Sequence, residues 1–325
     1  MAECEEITNT PTDSGVSGTD SPVPHANGEG KRRRRKKNKK KTVLSEEGAV
    51  LTMPNMLVMT SEEKGRHGIA RRNLDAGDVI FEDEPLAFII AKPHKDQFCT
   101  LCAGPVARAR RQAGGDSPYH VYCGPACRAR DAACRVLEDA ACKQVDALAA
   151  EAEVDVDLLR MLAKMLARHA LRARAGAEDP LWEGVLQLQT HRENTTAEWL
   201  ACVEKGVERL LALMPAQAQV AVDLGVDLAC RVNMNAHGIG DASGRNASVG
   251  FGMFPRVALL NHSCQPNAIY TFGGPPGAQT MAVRALAPLR AGEEVTLHYI
   301  DLLQARGDRQ RELQATRFFD CACPR

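Results

Sequence analysis

The order of apolar and polar positions divides the chain into stretches of different character. Val79, Ile80 and Phe81, and then Leu86 to Ile90, are short apolar runs separated by Glu82, Asp83, Glu84 and Pro85, with the string Asp75-Ala76-Gly77-Asp78 before them. Runs of this length bounded by turn-forming residues predict strands. Farther on the period changes. Leu158, Met161, Leu162, Met165, Leu166 and His169 recur three and four apart, as do Trp199, Val203, Val207, Leu210, Leu211 and Met214, and Pro215 follows the last of them. This spacing predicts two helices with core-facing stripes, and His169 is read as a packed or surface histidine on the first stripe. From about Val226 to Tyr299 the pattern returns to short strands, turns and glycines. A charged segment then runs from Asp301 to Cys321-Ala322-Cys323-Pro324-Arg325. No internal repeat is visible. Residues 1 to about 50 hold too little apolar surface to offset ordering entropy and are expected to be disordered.

Composition sharpens this α+β picture. Only 4% of the 325 residues are aromatic, so Leu, Val and Ala must supply most of the core. The zero net charge is a cancellation: residues 31–41 carry ten Lys or Arg and no acid, while from residue 42 onward 31 basic residues face 35 acidic ones. The body therefore has no broad electrostatic case for nucleic acid. The basic run reads as a nuclear import signal, or as a polyanion-binding arm, or as a solubilising tail. The longest apolar runs fall far short of the ~20 residues that span a bilayer, and the amino terminus, Met1-Ala2-Glu3-Cys4-Glu5-Glu6, is not a secretory signal. Twelve cysteines in such a chain argue for thiols and zinc, not disulfides.

Four of them have metal-site spacing. Cys99-x-x-Cys102 is followed, after 20 residues, by Cys123-x-x-x-Cys127. Each pair offers two sulfurs from one turn, and the loop lets the pairs close on one tetrahedral Zn(II). Such a metal would hold a segment too small for a core of its own. Buried free cysteines are the plainer alternative, which the nearby Lys95, Asp96, Arg108, Arg110 and Arg111 weigh against. Cys134, Cys142 and His120 lack paired spacing and are not read as a second site.

The stretch Leu259-Leu260-Asn261-His262-Ser263-Cys264-Gln265-Pro266-Asn267-Ala268 sets polar Asn and His among apolar residues. Some 30 residues later comes Gly292-Glu293-Glu294, and Tyr299 ends a strand-like run. Together these strings resemble the SET-domain lysine methyltransferases. The Cys99–Cys127 cluster resembles a MYND-type zinc finger, and the combination resembles the SMYD (SET and MYND) family over roughly residues 52–325.

The resemblance implies a pseudoknotted, β-rich SET fold made of residues 52–94 and 226–301. It implies an inserted finger at 95–142, a helical insert at 150–225 and a post-SET segment at 302–325, behind a basic arm at 1–50. It implies S-adenosylmethionine as methyl donor and a protein lysine, histone or non-histone, as acceptor. By family position His67, Gly68, Asn235, Asn261, His262 and Phe319 would contact the cofactor, and Tyr299 would line the lysine channel as the catalytic residue. Cys264, Cys321 and Cys323 would hold a second Zn(II). The finger would also offer a surface for proline-rich peptides, and the chain would distribute between nucleus and cytoplasm.

Three departures from the family pattern stand out. Gly65-Arg66-His67-Gly68 carries Arg66 where a second glycine is usual. Arg317 stands four residues before the first tail cysteine, where an aromatic is usual. The tail motif C-x-C-x-x-C is cut at Arg325, one residue before its last cysteine, and the finger has only its first ligand set complete. These departures motivate a competing expectation, a catalytically silent SET/MYND interaction scaffold. The cut tail suggests a fragment of a longer chain.

Overall fold

The computed structural model describes residues 43–107, 112–113, 117–240, 248–275 and 277–325. The basic run 31–41, and almost all of the arm expected to be disordered, lie outside the described residues. In chain order the elements are β1 (Leu51–Thr52), β2 (Met56–Ser61), β3 (Gly65–Ala70), β4 (Val79–Asp83), β5 (Ala87–Ile90), β6 (Gln112–Ala113) and β7 (Val121–Tyr122). The helices α1 (Pro125–Arg130), α2 (Ala132–Ala152), α3 (Val156–Arg174), α4 (Pro180–Leu186), α5 (Ala197–Leu213) and α6 (Val222–Asn235) follow. The chain closes with β8 (His237–Ile239), β9 (Gly250–Met253), β10 (Asn261–His262), β11 (Ala268–Gly273), β12 (Thr280–Ala285), β13 (Thr296–Leu297) and α7 (Arg306–Arg317). The strands form small sheets ordered β1-β2-β3, β11-β12-β4 and β5-β9-β8, plus the pairs β6-β7 and β10-β13. Only β10-β13 is parallel.

Two cores meet at β5. Successive side chains of a strand face opposite ways, and here both faces are covered. Ala87 and Ile89 belong to the helical core of α2 to α6, while Phe88 and Ile90 belong to the core among the strands. Covering on both sides explains why Leu86 to Ile90 reads as a continuous apolar run instead of an alternating one.

The two helical stripes form as the spacing predicts. Asp155 caps α3 by accepting from the Asp157 and Leu158 amides. Thr196 caps α5 by accepting from the Trp199 amide. Such caps satisfy amides that have no partner inside the helix. His169 stacks on Trp182 with centroids 4.0 Å apart and meets Asp179 at 3.0 Å, so it is a packed histidine.

Two expectations need correction. The stretch assigned to the finger, 95–142, runs into a helix that the spacing did not predict: α2 is 21 residues long, and Cys134, Leu137, Ala141, Cys142, Val145 and Leu148 form its buried stripe. Cysteines are counted among metal-ligand types, and alanines contribute little to an apolar pattern, which hid this helix. The return to strands expected from Val226 is also late, because α6 carries the chain through Asn235. Among the described residues no helix is long and apolar enough to cross a membrane.

Candidate active site

The carboxyl end of α6, the β10-β13 pair, the β2-β3 turn and the segment after α7 converge on a cavity of about 950 Å³. This lies within the ~300–1,000 Å³ of ordinary ligand pockets. Asn267 fixes the β10-β13 region. Its side-chain N–H donates to the Glu294 carbonyl at 2.7 Å, and its side-chain oxygen accepts from the Thr296 amide at 2.9 Å. Asp83 holds the approach to β10 from beneath, accepting from the Arg256 and Val257 amides at 2.7 and 3.0 Å.

Tyr299, Asn261, His262, Asn235 and Phe319 all lie on the cavity wall. The rings of Tyr299 and His262 are 5.3 Å apart, and Phe319 lies 6.0 Å from His262 and 6.5 Å from Tyr299. The Tyr299 hydroxyl donates to the Leu260 carbonyl at 2.6 Å. Burial pushes this phenol up to about 12, against the opposing pull of Arg317, so it stays neutral at any physiological pH. Asn261 donates to the Lys64 carbonyl and to Glu294, and Glu294 pairs with the Lys64 ammonium at 2.6 Å. Asn235 donates to the Gln189 and Arg231 carbonyls. His237, also on the wall, is pushed down to about 4 by burial, and its Nδ1 has no partner.

The two unexpected arginines both face this cavity. Arg66 donates to the Gln187 carbonyl at 2.8 Å, just past the end of α4. Arg317 donates through Nη1 to the Asn233 and Met234 carbonyls at 3.1 and 3.0 Å, in the last turn of α6, and its guanidinium lies 5.9 Å from the Tyr299 ring centroid. Both use helix carboxyl ends, where unpaired carbonyls favour cations.

Two thiol clusters form among the described residues, and the second borders the cavity. In the first, the sulfurs of Cys99, Cys102, Cys123 and Cys127 all lie within 4.8 Å of one another, with Cys102–Cys123 at 3.7 Å and Cys123–Cys127 at 3.5 Å. Sulfurs ~2.3 Å from one tetrahedral ion stand ~3.8 Å apart, so this donor set fits zinc. In the second, Cys264 and Cys321 are 3.9 Å apart. The ligand atoms within 4.8 Å of one another there are those of His262, Cys264 and Cys321, a group that leaves out Cys323. The Cys323 sulfur lies 4.0 Å from the Arg325 carbonyl and also interacts with the Cys321 and Cys264 sulfurs. His262 Nδ1 accepts the Tyr299 amide proton at 3.1 Å, so a neutral ring carries its proton on Nε2, which points at the Cys264 sulfur 3.3 Å away. His262 therefore supports the thiol and does not compete as a ligand. Arg309 supports the same sulfur from the other side at 3.3 Å.

The SET-domain family matches residues 65–300. The chain belongs to this family. Its sequence relatives include SMYD-type methyltransferases. Histone-lysine N-methyltransferase Smyd1 of Mus musculus is 29% identical over 287 residues, which cover 84% of this chain and 56% of that protein. N-lysine methyltransferase SMYD2 of Homo sapiens is 28% identical over 265 residues, which cover 81% and 58%. The chain thus spans little more than half the length of these curated relatives. A solved structure, the SET domain of LSMT bound to lysine and AdoHcy, aligns with a TM-score of 0.41 at 14% identity over 85% of this chain and 55% of that one, too loose a likeness to carry an argument.

Within this SET frame, two residues expected to contact the cofactor do not line the cavity. The early motif reaches the cavity through Lys64, Gly65 and Arg66, and neither His67 nor Gly68 is on its wall. His67 turns back onto the Gly65 carbonyl. Gly68 points into the core, where a Cβ would stand 2.6 Å from both Leu260 and Met56; the glycine is needed for packing under Leu260. His237 and the Lys64–Glu294–Asn261 network escaped the sequence reading because partnership across the chain leaves no local spacing. The buried trio His120, Glu138 and Cys142 comes within 4.8 Å, but the Lys164 ammonium already sits 3.3 Å from Glu138.

Proposed function

We propose that the chain is a protein-lysine N-methyltransferase that uses S-adenosylmethionine, with Tyr299 as its catalytic residue. The observation that carries this reading is the convergence of Tyr299, Asn261 and His262 on one cavity wall. The cavity suits such a donor. Phe319 and Tyr299 supply aromatic surface, Glu63, Glu294 and Asp320 supply acids, Arg317 supplies a cation, and His237 offers an unpartnered ring nitrogen. When bound, S-adenosylmethionine supplies a methyl carbon on a sulfonium.

The chain's own contribution is positioning. The Leu260 carbonyl consumes the Tyr299 hydroxyl proton, which leaves the phenol oxygen's lone pairs to accept an N–H from an entering amine. A charged lysine cannot attack, so the amine must arrive neutral, and a wall that removes water favours that form. Orientation of this kind is worth roughly 7–11 kcal/mol in well-aligned reactions. Asn261 is held from two sides and its Glu294 partner is ion-paired, so this part of the wall is preorganised.

We assign Cys99, Cys102, Cys123 and Cys127 to one structural zinc, and Cys264, Cys321 and Cys323 to a second. Neither would touch the reacting atoms. The cysteine cluster is also assigned a proline-rich peptide surface, and the basic run 31–41 nuclear import and polyanion contacts, on its charge alone; the chain would then be shared between nucleus and cytoplasm.

The test is transfer of labelled methyl from S-adenosylmethionine to core histones and other lysine-bearing proteins. Tyr299→Phe is expected to lower the rate about 10²-fold, the scale of losing one oriented hydrogen-bond partner. Absence of transfer by the intact protein would leave the scaffold reading, which the two cavity arginines favour. An unchanged Tyr299→Phe rate would remove Tyr299 from the chemistry.

A further inference from the structure

We propose that Arg317, fixed on the cavity wall beside Tyr299, is an electrostatic residue that holds an incoming lysine in its neutral, nucleophilic form. This rests on the methyltransferase reading and deepens it.

The first ground is placement. Phe318, the residue after α7, adopts the left-handed conformation with φ 61° and ψ 34°, which a bulky side chain adopts only under constraint. That turn sets Phe318 against His191, with rings 5.7 Å apart, while Arg317, the last residue of α7, is held by the Asn233 and Met234 carbonyls on the cavity wall 5.9 Å from the Tyr299 ring.

The second ground is that the charge is not cancelled. Among the described residues Arg317 has no carboxylate within 4.0 Å. It is tethered through Nη1 alone, to two carbonyls. Leaving a half-buried guanidinium without an acid is costly, so its retention calls for a function. None of the acids on the cavity wall forms an ion pair with it among the described residues. From the β2-β3 turn come Glu63, Arg66 and Lys64, the last already paired with Glu294. From β8 comes His237, pushed down by burial, and from β10 comes His262. His191, His298 and Asp320 complete the wall, and Glu312 on α7 acts on Arg317 from behind.

The third ground is the charge balance of the reaction. The lysine ammonium first gives its proton to solvent. The amine lone pair then forms the N–C bond as the C–S bond breaks, its electron pair stays on sulfur as a thioether, and the new ammonium carries the charge. The reacting pair holds one positive charge throughout, but two when the lysine is still protonated. A fixed cation therefore opposes the unreactive state more than the transition state. A unit charge ~8 Å away in a protein of effective dielectric ~20 moves an amine's titration down by about one to two pH units.

The experiment follows the saturating-substrate rate of methyl transfer to core histones and poly-lysine from pH 6 to 10. Arg317→Met should move the acidic limb up by about one pH unit, and Arg317→Lys, which keeps the charge, should leave it near the wild-type position. Arg317→Gln keeps a donor for the two carbonyls and serves if the Met variant does not fold. A second readout needs no acceptor: calorimetry of S-adenosylmethionine, a cation at sulfur, against neutral S-adenosylhomocysteine. Losing the guanidinium should favour the cationic ligand by about tenfold relative to the neutral one. An active variant with an unmoved acidic limb, or an unchanged ligand ratio, overturns the role of Arg317 and leaves methyl transfer standing. No transfer by wild-type protein at any pH overturns the enzyme reading and this inference with it.

Discussion

Replacing Lys164 with methionine tests the tie between the helices and the cysteine-rich segment. The Lys164 side chain on α3 is 2% exposed, and its ammonium lies 3.3 Å from Glu138 and 3.8 Å from Asp131, which are 2% and 1% exposed. Methionine has nearly the same length and fills the same space, so the loss is almost purely one of charge. Asp131 would keep the Tyr122 hydroxyl at 2.8 Å. Glu138 would keep only His120 at 3.3 Å, leaving a fully buried anion without its main partner. Breaking one side of a buried pair costs about 3–5 kcal/mol, a large share of the ~5–15 kcal/mol of a typical fold. Urea unfolding followed by circular dichroism should show the midpoint falling by about 1 M or more at unchanged slope. Lys164→Met with Glu138→Gln should recover much of that loss. The pH dependence gives an independent check. Burial pushes the Glu138 carboxyl up, but Lys164 and His120 outweigh it and hold the group down at about 2, below its ordinary 4.5. Its folded value is depressed, so its stabilisation is present above about pH 4.5 and is lost as pH falls toward 2. In the variant the carboxyl rises, so acidification from pH 7 to 5 should stabilise it relative to wild type. A loss under about 1 kcal/mol, or a double variant no more stable than the single, would refute the account.

Gly68→Ala should lower the melting temperature by several degrees, since a Cβ 2.6 Å from Leu260 and Met56 overpacks the core by about 1–3 kcal/mol. It should also slow any methyl transfer by shifting the Leu260 carbonyl that orients Tyr299. Cys123→Ser, or chelation of the intact protein, should remove zinc as read by native mass spectrometry and unfold the segment around Cys99–Cys127; full structure without metal would contradict the assignment. Asp83→Asn should stabilise the protein more at pH 8 than at pH 5. Burial raises this carboxyl to about 6 from its ordinary 3.8, so its contribution falls as pH rises from about 4 through 6, and the amide avoids that loss while still accepting from Arg256 and Val257. Equal effects of Asp83→Asn at both pH values, measured by urea unfolding, would argue that the carboxyl is not shifted.

The legible parts of the site were those written as tight strings. The run Asn261 to Asn267 is contiguous in the string, although its side chains bond distant partners such as Lys64, Glu294 and the Tyr299 amide. The paired spacing of Cys99, Cys102, Cys123 and Cys127 states its own geometry. Less legible was the early glycine motif, where the string Gly65–Gly68 could not say which residue turns to the cavity. Arg317 was visible as a departure, but its inward direction depends on the end of α7 meeting the last turn of α6, which nothing in the letters requires.

By itself the sequence determined the elements that rest on short-range periodicity: the stripes of α3 and α5, the apolar β5, and the thiol pairs. It also pointed to the family, because each of its motifs is a short string, Asn261–Asn267 and Gly292–Glu294. Only the tertiary structure decided that β5 divides two cores, that Cys134 and Cys142 face the stripe of α2, and that Lys164 sits between two buried acids. It alone set Arg66 and Arg317 on helix carboxyl ends over the cavity. The reason is physical: helix and strand periods follow from bond geometry within a few residues, whereas charge pairing and cavity walls are fixed by residues tens to hundreds of positions apart, brought together by burial.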